Sequence, residues 1–115
     1  MGIDKSLLTG STTMLILKLL EGSDMYGYQM IEELSKRSNQ TFTLKAGTLY
    51  PLLHGLERQG MVDSYDKAAG NSRIRKYYSI TKQGRGLLID KKSEWSTYTD
   101  AVNQVLKGGV SFETV

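Results

Sequence analysis

Between Thr43 and Gly60 the chain reads TLKAGTLYPLLHGLERQG, with Leu49, Leu52, Leu53 and Leu56 at i, i+3, i+4 and i+7. That spacing gathers four leucines on one face of a helix, whereas a strand would scatter them over two faces. Off the stripe stand Lys45, Thr48, Tyr50, Pro51, His54 and Arg58. They supply donors, acceptors, an aromatic ring and positive charge, against a single acid, Glu57. A short helix with one apolar and one polar, mildly basic face fits the major groove of DNA. An ordinary surface helix on a small core carries the same pattern, so the rest of the chain has to decide between the two.

A chain of 115 residues is the length of one domain with a modest core, for which association with a second copy adds stability. It holds no cysteine, which excludes disulfides, zinc-finger spacing and thiol chemistry. The longest apolar run, Met14 to Leu17, is far too short to cross a bilayer, and the start MGIDKSLLTG lacks the apolar centre of a signal peptide. The expectation is a cytoplasmic protein with no membrane partner.

Taken in order, residues 1–9 read as an arm or frayed turn. STTMLILKLLE, over 11–21, predicts a helix apolar on most sides, with Ser11 or Thr12 as cap and Gly22 as stop. Ser23 and Asp24 offer an N-cap for a second helix over 25–37, whose stripe is Gly27, Met30, Ile31 and Leu34. Tyr26 and Tyr28 flank Gly27 and point to close helix packing there. Asn39 suits a turn, and Phe42 is expected to tuck into the core. The third helix is expected over 46–59; Pro51 lies early enough to cost one hydrogen bond, and Gly60 ends the helix in the left-handed conformation.

Two short strands follow, MVDSYD at 61–66 and IRKYYSI at 74–80, around a loop whose Gly70-Asn71 is a turn signal. In the second strand Ile74, Lys76, Tyr78 and Ile80 share one face, and Arg75, Tyr77 and Ser79 the other. Net charge is only +3, but it is segregated. From Lys67 to Lys92 the sole acid is Asp90, whereas Glu21, Asp24, Glu32 and Glu33 meet no base between residues 21 and 33. A polyanion-binding face needs such segregation. Helix, helix, helix, hairpin is the order of a winged helix-turn-helix. Thr81 then caps a last helix over 82–107, about 39 Å long at 1.5 Å per residue. Leu88, Trp95 and Val102 form one heptad position and Lys91, Tyr98 and Val105 another, with Leu106 widening the stripe. So long a seam calls for a second chain, and a two-fold homodimer is the default.

With these pieces in place the chain resembles the PadR family of transcriptional regulators. The stretches that carry the likeness are MYGYQMIEEL (25–34), GTLYPLLHGLERQGMV (47–62) and RKYYSITKQG (75–84). The resemblance implies a winged helix-turn-helix followed by a C-terminal dimerisation region, here a single helix as in the short branch of the family. It also implies an effector class: some members of that branch respond to planar, lipophilic or aromatic compounds through an aromatic residue on the last helix, a place that Trp95 fills here. One departure is Lys45-Ala46, where many members begin the helix with serine or proline, and it predicts a less well-capped start.

The fold class expected is therefore mainly α with a small β-hairpin: a winged helix-turn-helix over 1–81, a dimerisation helix over 82–107 and a disordered tail over 108–115. Candidate DNA contacts are Lys45, Thr48, Tyr50, Pro51, His54, Arg58, Gly70, Asn71, Arg73, Arg75 and Lys76. Each has a plainer reading. Tyr50 either reaches a phosphate or packs under the wing, Thr48 and His54 are solvated, Arg75 pairs with Asp63 or Asp66, and Gly70-Asn71 is only a turn. Dimer contacts are Leu88, Trp95, Tyr98, Val102, Val105 and Leu106, with Trp95 either ligand-stacking, dimer core, or both. One histidine, no cysteine, no phosphate loop and no nucleophile elbow leave no catalytic site, metal or cofactor to expect. The function expected is a ligand-responsive repressor, dimeric on a pseudo-palindromic duplex operator; the alternative is a winged-helix protein–protein interaction module without DNA binding.

Overall fold

In the computed structural model, which describes residues 3–108, the strand read at 74–80 becomes the centre of a three-stranded sheet. The elements are α1 (Lys5–Thr9), α2 (Thr12–Gly22), β1 (Met25–Tyr26), α3 (Gly27–Arg37), α4 (Ala46–Arg58), β2 (Val62–Ala68), β3 (Ile74–Ile80) and α5 (Lys82–Lys107). The sheet order is β1-β3-β2, antiparallel throughout. Val62 pairs with Ile80 and Ala68 with Ile74, while Met25 pairs with Tyr78 and Tyr26 with Tyr77. Strand alternation sends Tyr78 and Ile80 inward. There they meet Met25, Val62, the α2 residues Ile16, Leu17 and Leu20, and the α4 residues Leu49, Leu53 and Leu56.

Three local expectations change. Residues 25 and 26 are strand, not the first turn of α3, because they pair with β3 along the edge that β2 leaves open. Asp24 therefore caps nothing; its carboxylate accepts the Tyr65 hydroxyl at 2.7 Å. Residues 5–9 form a helix rather than an arm, capped by Asp4, whose side chain accepts the Ser6 N–H at 2.9 Å. That bond, reinforced by the Ser6 hydroxyl, holds the Asp4 carboxyl below its ordinary range. Finally, Ser11 and Thr12 do not cap α2 with their side chains. Both hydroxyls donate backwards to the Leu8 carbonyl, and so satisfy the end of α1 instead.

The helix-turn-helix is α3, a turn and α4. Asn39 and Gln40 both take positive φ in the turn, and Phe42 packs against the core with its N–H on the Ser38 hydroxyl at 3.0 Å. Helix α4 ends as its sequence implies. Gly60 has φ +77, its N–H bonds the Glu57 carbonyl, and the Met61 N–H reaches back to Leu56 at 2.9 Å, the paired bonds of a Schellman motif. Its start is the uncapped one expected: Lys45 occupies the N-cap and makes no side-chain capping bond.

Thr81 alone separates β3 from α5. Its hydroxyl accepts the Gly84 N–H at 3.0 Å and lies 2.7 Å from the Gly60 carbonyl and 3.0 Å from that of Met61. One residue thus ties the end of α4, the start of β2 and the start of α5 together. Beyond this junction α5 runs out from the rest of the fold, and the chain with α5 measures 72 × 33 × 21 Å along its principal axes. Leu88 is only 1% exposed and sits in the core of the single chain, against the expectation that it belongs to the seam. A heptad count marks a position as apolar but cannot say which chain covers it. The tail expected over 108–115 falls, from residue 109 onward, outside the described residues.

Candidate nucleic-acid interface

Helix α4 is divided lengthwise. Leu49, Leu53 and Leu56 are buried, while Thr48, Pro51, His54 and Arg58 are exposed on the far side, with Lys45 exposed at the N-terminus. At 100° per residue the exposed positions fall within one face. Tyr50 lies on the flank of that face, half-buried. Its phenol occupies the space that a Cβ on Gly27 would need, so the glycine at the start of α3 is what lets the two helices approach. Burial raises the Tyr50 hydroxyl above the ordinary tyrosine value, and Tyr28 nearby adds to the rise. The His54 ring stands 6.4 Å from the Tyr50 ring.

The β2–β3 hairpin extends beside this helix. Its tip is closed by bonds of 2.9 Å from Ala69 N–H to the Arg73 carbonyl and from Arg73 N–H to the Gly70 carbonyl. Gly70, Asn71 and Ser72 all have positive φ there. Arg73 and Lys76 are exposed, and Ile74 is 71% exposed, an unusual place for isoleucine. A groove of about 340 Å³ runs between the two elements, lined by Tyr26, Tyr28 and Tyr50 and, from the hairpin, by Arg73, Ile74, Arg75 and Lys76. The helix face and the basic hairpin thus border one concave surface.

Arg75 does not pair with either aspartate considered from sequence. Asp66 is opposite Lys76 on the other face of the hairpin, and Asp63 is opposite Ser79, about 13 Å along the strand from Arg75. The guanidinium instead lies 4.3 Å above the Tyr26 ring. Tyr26 is 49 residues away in sequence, beyond any local pattern.

A second concavity, about 350 Å³, lies between the N-terminal helices and α5. Leu7, Gly10 and Met14 form one wall, and Lys91, Trp95 and Tyr98 the other. Trp95 is 45% exposed, with its ring 6.1 Å from that of Tyr98. Leu7 and Met14 were missed from sequence, where the only cue to α1 was Asp4 ahead of Ser6. Val102, Val105 and Leu106 continue along α5 with their side chains in solvent. Among the described residues no three His, Cys, Asp or Glu side chains converge as a metal site would require, and no helix is long and apolar enough to cross a membrane.

Comparison with known proteins agrees with this geometry. Residues 16–89 match the transcriptional regulator PadR-like family. A transcriptional regulator from Clostridium thermocellum superposes with a TM-score of 0.81 at 28% identity, covering 86% of this chain and 96% of that one. A PadR family regulator from Eggerthella lenta gives 0.79 at 34% identity, covering 88% and 86%. A transcriptional regulator of Mycobacterium tuberculosis is 31% identical over 77 residues, 67% of this chain and 68% of its own. A family match over well more than half of the chain, joined to the helix-turn-helix and basic hairpin described above, places this protein in the PadR-like family of transcriptional regulators.

Proposed function

We propose that the chain is a homodimeric repressor that binds a pseudo-palindromic duplex operator and responds to a planar aromatic or lipophilic compound. The observation that carries the DNA part is the shared groove: Tyr50 of α4 and Arg73 and Lys76 of the hairpin line one concave surface. In this reading α4 enters the major groove, with Thr48, His54 and Arg58 reaching towards base edges and phosphates, while the hairpin follows the backbone. Lys45, Arg73, Arg75 and Lys76 contact phosphates, which need only charge within reach. Residues 1–81 form the DNA-reading unit and 82–107 the dimerising one.

The test is a salt titration of operator binding. Arg73→Ala with Lys76→Ala should weaken affinity for all sequences alike and lower the slope of log K against log salt by about two, roughly one per phosphate contact. Thr48→Ala or His54→Ala should instead alter the preference among operator variants. A wing variant with unchanged affinity and slope would remove the hairpin from the interface.

The ligand part rests on Trp95, which is partly open and borders an apolar cavity beside Tyr98. In a two-fold dimer built on α5, flat compounds stack there, and cationic ones gain cation–π attraction. The change at α5 passes directly to β3, because only Thr81 intervenes. Linkage then requires operator DNA to weaken the compound's binding by the factor with which the compound weakens DNA binding. Titrating planar aromatics against Trp95 fluorescence, with free and operator-bound protein, should give weaker binding to the complex. Equal affinities would exclude induction by this route.

A further inference from the structure

The outer face of the sheet carries a row of aromatic rings that meets the groove only at Tyr26 and Arg75. Tyr26, Tyr77 and Tyr65 stand directly opposite one another on β1, β3 and β2 and form one row across the sheet. Tyr77 stacks on Tyr65 at 5.8 Å and 17°, and meets Tyr26 edge-on at 5.4 Å. The row is pinned at one end by the bond from the Tyr65 hydroxyl to Asp24. Two cations rest on it: the Arg75 guanidinium 4.3 Å above Tyr26, and the Lys67 ammonium 5.1 Å above Tyr77.

Lys67 and Arg75 are direct cross-strand partners. Like charges in that position destabilise a hairpin. Neither takes part in an ion pair among the described residues, whose salt bridges lie on α2, α3 and α5. Stacking on tyrosine faces removes much of the side-chain freedom that an exposed lysine or arginine keeps, and leaves the charge available. Position identifies the anion. The Lys67–Arg75 rung is one step from Ala68–Ile74, the last rung before the tip that carries Arg73. The outer cations are therefore continuous, around the tip, with Arg73 and Lys76.

We propose that Lys67 and Arg75 form a second phosphate-binding face on the outside of the hairpin, held in place by the Tyr26–Tyr77–Tyr65 row, so that the hairpin grips duplex DNA from both of its faces. This rests on the DNA-binding reading above and adds Lys67 as a contact and Tyr77 as a positioning residue. A minor groove about 6 Å wide brings the phosphates of both strands to either side of a hairpin tip laid into it. Cations on both faces then meet both strands.

The experiment uses the full chain and a mixed-sequence duplex of about 30 base pairs, because phosphate contacts do not depend on sequence. Lys67→Gln with Arg75→Gln should reduce the salt slope by about 1.8, which is about 0.9 for each lost phosphate contact, in addition to any loss from Arg73→Ala with Lys76→Ala. The variant loses two cation–π contacts and is relieved of one like-charge rung, so its melting temperature should stay within a few degrees of wild type. Tyr77→Leu should weaken binding by roughly three- to fivefold, the scale of an exposed cation–π contact, while Tyr77→Phe, which keeps the ring, should bind as wild type. An unchanged slope in the Lys67/Arg75 variant overturns the proposal, whatever Tyr77→Leu does to folding. An unchanged slope together with lost binding to polyglutamate assigns this face to an acidic protein segment and overturns it equally. A Lys67/Arg75 loss with no Arg73/Lys76 loss keeps this face and removes the inner one. Wild-type protein without affinity for the duplex overturns both readings.

Discussion

Gly84→Ala should lower the melting temperature by roughly 10–20 °C, the effect of about 3 kcal/mol on a domain of this size. Gly84 is buried in the first turn of α5, and a Cβ there would press on the Met61 carbonyl oxygen and stand 2.8 Å from the Ile80 side chain. The oxygen has no room to retreat. It accepts the Thr81 N–H at 3.1 Å and lies within hydrogen-bonding distance of the Thr81 hydroxyl, bonds that hold α5 to the sheet. Gly86 provides the control. It lies two residues further along the same helix, a Cβ there meets nothing within 4 Å, and Gly86→Ala should stabilise by about 0.5–1 kcal/mol through helix propensity alone. Opposite signs from two Gly→Ala changes in one helix can be read in a pair of thermal melts. A Gly84→Ala protein that melts with wild type would refute the packing account of the junction.

The second large effect concerns the proposed dimer. Val105→Glu with Leu106→Glu should give a folded monomer. These side chains are 79% and 78% exposed in the single chain, so the protomer loses no contact of its own. Two carboxylates in an apolar seam must instead be desolvated without partners, which association does not survive. Light scattering should report half the wild-type mass with the melting transition retained. Operator affinity should fall by about 10²–10⁴, because each half-site is then bound without the effective concentration supplied by its linked neighbour. A variant that remains dimeric places the interface elsewhere. A truncation at residue 88 is a poorer probe, since it also removes Leu88 from the core of the protomer.

The elements readable in the sequence were those whose signals are local and repeated. The stripe from Leu49 to Leu56, the alternation from Ile74 to Ile80, the positive-φ stop at Gly60 and the cap at Thr81 each lie within a few residues of what they determine. What escaped depends on partners remote in the chain. Met25 and Tyr26 make a strand only because β3 has a free edge, and two residues are too few to show a period of two. The helical stripe of Gly27, Met30, Ile31 and Leu34 therefore absorbed them. The charge run showed that Arg75 was basic, but the tyrosine beneath it comes from β1. Helix α1 has five residues, too short for periodicity to identify it.

The junction at Thr81 has a mechanical consequence. With one residue between β3 and α5, and that residue bonded to two other elements, there is no slack in which a rotation can dissipate. Helix α5 then works as a stiff lever on a clamped pivot. A tilt of about 0.1 radian at the pivot moves the far end of a helix about 39 Å long by about 4 Å, close to the rise of one base pair. Read in reverse, in the proposed dimer a displacement of that size between two paired α5 helices would turn each hairpin by only a few degrees, exchanging large motions at the tail for fine angular adjustment at the basic end.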